Sequence, residues 1–263
     1  MNRQSPIKTI GILGGKGMLG SDLAEFLGND FETTAIDKDN YDGHRGASFD
    51  VLINANGNSQ RFFANEHPLE DFEMSVASVY RTFFDFSSER YIYISSSDAY
   101  NDHSNPAATG EEQETDALKL QPYGFHKYLA EEIVKRNAKR WFIVRSSAIL
   151  GTRLKKGPVY DILHGNPLWI DGSTRLQFIT TAVLAEIIRT LLEKVPGNDI
   201  FNAGGRGTFD FSGAEETFKK PVSFKDNLEK QTYEMNVEKL AALFLLKTSQ
   251  EYVQEFIKNF QNR

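Results

Sequence analysis

The chain has 263 residues and a net charge of -6, with 40% hydrophobic and 25% charged residues, the balance of an ordinary soluble globular enzyme. A sequence pI near 5.5 argues against nucleic acid or an anionic membrane as the main partner, so an anionic ligand needs a local basic pocket. Cysteine is absent, which excludes disulfides and thiolate chemistry, and His44, His67, His103, His126 and His164 show no ligand spacing, so no metal site is expected.

Met1 to Thr9 is polar and unlike a signal peptide, and no run of about 18 apolar residues occurs, so a cytoplasmic protein outside the membrane is expected. Ile7 to Leu13 then reads as a strand that runs into the glycine cluster Gly14-Gly15-Lys16-Gly17-Met18-Leu19-Gly20, and Ser21 to Leu27 as a helix. Further strands are predicted at Thr33 to Ile36, Val51 to Ala55, Tyr91 to Ile94 and Trp141 to Val144, with helices at Leu69 to Phe84 and Tyr123 to Lys135. Such alternation predicts an α/β fold, a doubly wound parallel sheet of the Rossmann type covered on both faces. Residues 1–150 are expected to form this dinucleotide-binding domain. Residues 151–263, punctuated by Gly157-Pro158, Gly165-Asn166-Pro167 and Pro196-Gly197, are expected to form a smaller, partly interleaved substrate-binding region with helices at Ala182 to Leu192 and Val237 to Leu246. The polar stretch Asp102 to Gln121 reads as an active-site loop.

The glycine cluster fits GxGxxG from Gly15 or GxxGxxG from Gly14, and either brings backbone N–H groups and a helix N-terminus against a pyrophosphate. Gly14, Gly17, Met18, Leu19 and Gly20 are the candidates. Asp37 ends the second strand, where an acid that hydrogen-bonds the adenosine ribose is expected; its charge favours NAD over NADP, and adjacent Lys38 softens that preference. Ser95-Ser96-Ser97-Asp98-Ala99-Tyr100 follows a strand at the carboxyl edge of the sheet, where ligands of such folds bind. Tyr123 and Lys127, four apart behind Pro122, share one face of a helix, so a phenol and an ammonium are placed to share a proton. A phenol with an ordinary pKa near 10 needs about 4 kcal/mol of help to act as a base near pH 7, and a nearby ammonium and a cationic ring are suited to supply it.

Taken in order, GGKGMLG, NANG at Asn54 to Gly57, SSSDAY, PYGFHK and VRSSAILG resemble the extended short-chain dehydrogenase/reductase family, the NAD-dependent epimerase/dehydratases. The similarity continues through DGSTRLQFI and IFNAGG to about Gly205. The resemblance implies a catalytic Ser/Thr, Tyr and Lys: Ser96, four before Tyr100, with Ser97 as the alternative, then Tyr123 as acid/base and Lys127 anchoring the nicotinamide ribose. It further implies Gly14, Gly17 and Gly20 at the pyrophosphate, Asp37 at the adenosine ribose, and Ala55, Asn56 and Gly57 at the nearer ribose. Ser97, Asp98, Arg153 and Arg175 are the substrate candidates, the two arginines for phosphate.

Several positions depart from the family pattern. Only 13 residues separate Asp37 from Val51, so the usual third strand and helix are expected to be cut down and the adenine pocket open. Ser75 and Ala148 stand where the family often has Asn, Ala182 and Val183 where it has an acidic pair, and Ser97 where 4,6-dehydratases often carry an acid. The expected activity is NAD(P)-dependent oxidoreduction or epimerisation of a secondary alcohol or ketone on a nucleotide-activated sugar, reduction or C4 epimerisation ahead of dehydration. The competing reading is a non-catalytic NAD(P)-binding regulator with a vestigial site. A homodimer is expected through the helices at Leu69 to Phe84 and Tyr123 to Lys135.

Overall fold

The computed structural model describes residues 7–261. Its centre is a parallel sheet in the order β2-β1-β3-β4-β5-β9, made of β1 (Thr9–Leu13), β2 (Glu32–Ile36), β3 (Ser48–Asn54), β4 (Ser87–Ser96), β5 (Trp141–Ser146) and β9 (Asp199–Ala203). Successive side chains of a strand point to opposite faces, so each strand serves two cores. Ile10, Ile12, Val51, Ile53, Ile92, Ile94, Phe142 and Val144 meet Leu23 and Leu27 of α1 (Met18–Leu27) and Leu184, Ile187 and Leu191 of α7 (Thr181–Lys194). Leu52, Tyr91, Tyr93 and Ile143 meet Val79 of α4 (Ser78–Asp85) and Ala130 and Val134 of α5 (Pro122–Asn137). Each fully buried Ile or Leu contributes about 1.5–3 kcal/mol, so these two layers carry the fold. The parallel doubly wound sheet is the architecture expected from the alternating pattern.

The predicted helix at Leu69 to Phe84 is continuous but not uniform: α3 (Pro68–Phe72) passes through a π-turn at Glu73–Ala77 into α4. A short helix α2 (Arg61–Glu66) precedes it. Between β2 and β3 only a single 3-10 turn, Asp42–His44, remains, so β2 is an edge strand, as the short Asp37 to Val51 spacing implied.

Beyond β5 the chain forms β6 (Ala148–Leu150), α6 (Pro158–His164), β7 (Arg175–Leu176) and β8 (Phe178–Thr180) before α7 and β9 return to the main sheet. Then follow β10 (Phe209–Asp210), α8 (Ala214–Phe218), β11 (Thr232–Tyr233), α9 (Glu238–Ala241) and α10 (Ser249–Gln261). A separate apolar cluster, including Val159, Ile162, Phe209, Phe211, Val253 and Ile257, holds β6, α6, β8, β10, α8 and α10 together, while Leu240 of α9 packs into the main core. Buried Asp22 of α1 ties them to the Rossmann layer, accepting Thr152 N–H at 2.7 Å and the Thr181 hydroxyl at 2.7 Å.

One sequence expectation changes here, and several elements form that the sequence pattern did not mark. The helix predicted over Val237 to Leu246 is helical only through Ala241, because the chain turns to bring Thr248 beside Arg206 and the Ser249 backbone against Gly205. Of these unmarked elements α10 is the longest helix and β9 the longest strand, beside short ones such as α2, α6 and β6. In β9 just Ile200 and Phe201 interrupt polar neighbours, a run too short to read as a strand. Among the described residues no helix is long and apolar enough to cross a membrane.

Candidate active site

The site begins with the turn between β1 and α1. Gly14 has φ of +79°, a conformation that L side chains rarely adopt, and a Cβ on it would lie 2.9 Å from the Ala55 carbonyl oxygen. Gly20 is tighter still: its Cβ would lie 2.1 Å from the Gly14 carbonyl oxygen. Gly17 caps α1, leaving the N–H groups of Met18 and Leu19 at the open helix end. This is a cradle with the backbone laid bare, and it fits a pyrophosphate.

Asp37 extends from the end of β2 beside the same turn. Its Oδ2 accepts Lys16 N–H at 3.0 Å and its Oδ1 accepts Lys38 N–H at 2.8 Å. Asp37 and Lys38 line a cavity of about 370 Å³ together with Tyr41, Arg45, Asn56 and Arg81. Ala55 is bonded through its N–H to Leu13 O at 3.1 Å, and Asn56 through its own to Asn54 Oδ1 at 3.0 Å, so the NANG loop is held against the glycine turn.

At the carboxyl end of β4 the Ser96 hydroxyl donates to Asp98 Oδ2 at 2.8 Å and accepts Asp98 N–H at 3.2 Å. Ser97 is buried, and its carbonyl accepts Tyr100 N–H. Gly124 explains why α5 can come so close: a Cβ there would lie 2.1 Å from the Asp98 carbonyl oxygen. The helix therefore presents Tyr123 and Lys127, both nearly buried, to the β4 end. Lys127 Nζ lies 5.8 Å from the Tyr123 ring centre and 5.5 Å from that of Tyr93. On the other side Lys127 faces Gly57, whose absent Cβ would lie 3.7 Å from Nζ.

Burial, followed by the Asp98 carboxylate, pushes the Tyr123 phenol above its usual range, while Arg61 and a hydrogen bond with Ser96 act the other way. Burial and Asp98 thus favour the protonated phenol. Burial pushes the Lys127 ammonium down to about 8, against the pull of Asp71, Glu131 and Asp98. The charged form is therefore the favoured one at pH 7. An ammonium therefore stands near the Tyr123 ring at neutrality and gives up its proton as the pH rises past about 8.

Ser96, Asp98, Tyr123 and Lys127 are brought together as a group. Arg153 and Arg175 stand apart from it: Arg153 is exposed in the turn after β6, and Arg175 is exposed on β7 opposite Asp210. Sequence reasoning passed over Arg61, which reaches Asp98 with Nε to Oδ1 at 2.6 Å and Nη2 to Oδ2 at 2.8 Å. Its guanidinium lies 4.2 Å from the Tyr233 ring centre, and Tyr233 stacks on His103 of the Asp102 to Gln121 loop at 3.9 Å. No local pattern marks these residues, since they meet from segments far apart in the chain.

The family model for the NAD dependent epimerase/dehydratase family matches residues 10–204. No curated protein matches the sequence. In structure the chain is similar to a dTDP-4-dehydrorhamnose reductase from Bacillus anthracis in complex with NADP (TM-score 0.79, 16% identity, 98% of this chain and 100% of that chain covered). It is similar also to a UDP-galactose 4-epimerase (TM-score 0.77, 19% identity, 97% and 99% covered). A third likeness is to UDP-glucuronic acid 4-epimerase from Bacillus cereus in complex with UDP-glucuronic acid and NAD (TM-score 0.75, 16% identity, 96% and 99% covered). At these identities the structures establish the shared fold, and the family match over most of the chain goes further: this protein belongs to the NAD dependent epimerase/dehydratase family.

Proposed function

We propose that the protein carries out NAD(P)-dependent reduction or C4 epimerisation of a nucleotide-activated sugar, with Tyr123 as the acid/base. The observation that carries this reading is the junction of Ser96, Tyr123 and Lys127 beside the Gly57 loop, at the carboxyl edge of the sheet. Gly14, Gly17, Met18, Leu19 and Gly20 would hold the pyrophosphate, Asp37 and Lys38 the adenosine ribose, and Ala55, Asn56, Gly57, Tyr123 and Lys127 the nearer ribose. The dinucleotide, when bound, supplies a nicotinamide that exchanges hydride with the substrate carbon.

The chain's own residues do the rest. Ser96 holds the substrate oxygen by its hydroxyl, Tyr123 gives or takes the proton on that oxygen, and the Lys127 ammonium steadies the phenolate. Ser97, Asp98, Arg153 and Arg175 remain the substrate-binding candidates, within the region 151–263 for the two arginines. Dehydration needs a further acid and base. Asp98 is held at both oxygens by Arg61, and Ser97 offers a buried hydroxyl, so the geometry favours reduction or epimerisation over elimination. NAD is the proposed cofactor because Asp37 suits a free ribose hydroxyl; Lys38, Arg45 and Arg81 around the same cavity make NADP the alternative.

The test is turnover of UDP-galactose, UDP-glucuronic acid and dTDP-4-dehydrorhamnose with NAD(H) or NADP(H), followed by proton NMR of the sugar. Tyr123→Phe is expected to lose turnover by about 10²–10⁴-fold while still binding the dinucleotide. Full turnover by that variant would overturn the mechanism. Dinucleotide binding with no turnover of any sugar nucleotide would favour the regulator instead. We also propose a homodimer, because Leu69, Phe84 and Tyr80 are exposed along one helical segment at 81%, 73% and 46%. We further propose a cytoplasmic location, which cell fractionation tests.

A further inference from the structure

Behind Lys127 lies a buried acid that the proton transfer does not use. Asp71 on α3 is fully buried, and its two oxygens face different partners. Oδ2 lies 2.5 Å from His126 Nδ1 on α5, and Oδ1 accepts the Ser75 hydroxyl at 3.2 Å. A nitrogen facing a carboxylate at that distance carries the hydrogen. Ser75 Oγ in turn accepts Asn58 N–H at 3.3 Å, so the acid is joined to the loop that begins at Gly57. Ser75 Oγ and Lys127 Nζ flank that glycine, 3.4 and 3.7 Å from the place a Cβ would occupy. The π-turn at Glu73–Ala77 runs through the segment that carries Ser75, and such turns are frequent at functional sites.

The charges around Lys127 come from every element packed on it. Glu131 stands on its own helix, Asp98 on the turn after β4, and Asp71 on α3; the Tyr93 ring covers it from β4 and the Tyr123 ring from α5. Two of the three carboxylates are matched by arginine: Glu131 accepts Arg145 Nε at 3.0 Å and Nη2 at 2.7 Å, and Asp98 is held by Arg61. Asp71 has an imidazole and a hydroxyl as its partners.

We propose that Asp71, fixed by His126 and Ser75, is a positioning residue that serves as the counter-charge of Lys127 and couples it to the Gly57 loop. The inference rests on the reading that Lys127 works with Tyr123. Its test needs neither substrate nor cofactor: the side-chain resonance of Lys127 is titrated by NMR in the full chain carrying ¹³C-labelled lysine, and assigned by its loss in Lys127→Arg. Asp71→Asn is expected to lower the Lys127 midpoint by about one pH unit. The double variant Asp71→Leu with His126→Leu removes both buried polar partners together, which protects the fold, and the same fall is expected. Once a substrate is identified, the alkaline limb of turnover should move with the midpoint. A midpoint unchanged in either folded variant overturns the proposal. Turnover by Tyr123→Phe would overturn the catalytic reading instead, so the two failures are told apart.

Discussion

Replacing Lys127 with Met removes a buried ammonium while keeping an unbranched stem in its place. In the folded chain burial lowers this group to about 8, from 10.5 in a solvated lysine. At about 1.4 kcal/mol per pH unit, the charged lysine costs the fold about 3 kcal/mol near neutrality. Below pH 8 both states are protonated and the cost is constant. Between about 8 and 10.5 the unfolded chain keeps a proton that the folded chain has released, so stability rises with pH across that window. Above it both are neutral and the cost is gone. Lys127→Met should therefore be about 3 kcal/mol more stable than the parent at pH 7, with the advantage fading as pH approaches 10.5. Urea unfolding at a series of pH values up to about 10 measures both proteins, a range below the raised phenols of Tyr93 and Tyr123 in the folded parent. On the proposed reading, in which Lys127 steadies the phenolate, the variant should also lose turnover, its gain in stability coming at the expense of that charge. A Met variant no more stable than the parent at pH 7, or an advantage that ignores pH, would refute this account of the site.

Glu131→Gln leaves the buried Arg145 guanidinium beside a neutral amide and should cost about 3–5 kcal/mol. At roughly 2 °C per kcal/mol for a chain of this size, calorimetry should show Tm about 6–10 °C lower; a drop under about 2 °C would contradict the role given to the pair. For the proposed dimer, Leu69→Glu combined with Phe84→Glu should yield a monomer in sedimentation analysis, and a parent chain already monomeric at micromolar concentration would end that proposal.

Much of the Rossmann layer was legible because its signals are local. An apolar strand ending in Gly14 to Gly20 requires close backbone approach, and the structure shows a Cβ at Gly20 would collide with Gly14. Pro122 begins α5 as expected, and the spacing of four puts Tyr123 and Lys127 on one face. The carboxyl-terminal elements were less legible. Strand β9 is too short and polar to announce itself, and it becomes a strand by pairing with β5. The helix read into Val237 to Leu246 yields to the turn that seats Ser249 on Gly205.

What the sequence determines by itself is therefore the strand, turn and helix of the dinucleotide cradle and the pairing of a phenol with an ammonium, because these depend on periodicity and backbone access within a few residues. The tertiary structure alone decides the electrostatics. Arg61 meets Asp98 across 37 residues, His126 meets Asp71 across 55, and Asp22 meets Thr181 across 159. Whether Lys127 keeps its proton near Tyr123 depends first on burial and then on Asp71, Glu131 and Asp98, and the burial and the approach of Asp71 and Asp98 arise only when the chain has folded.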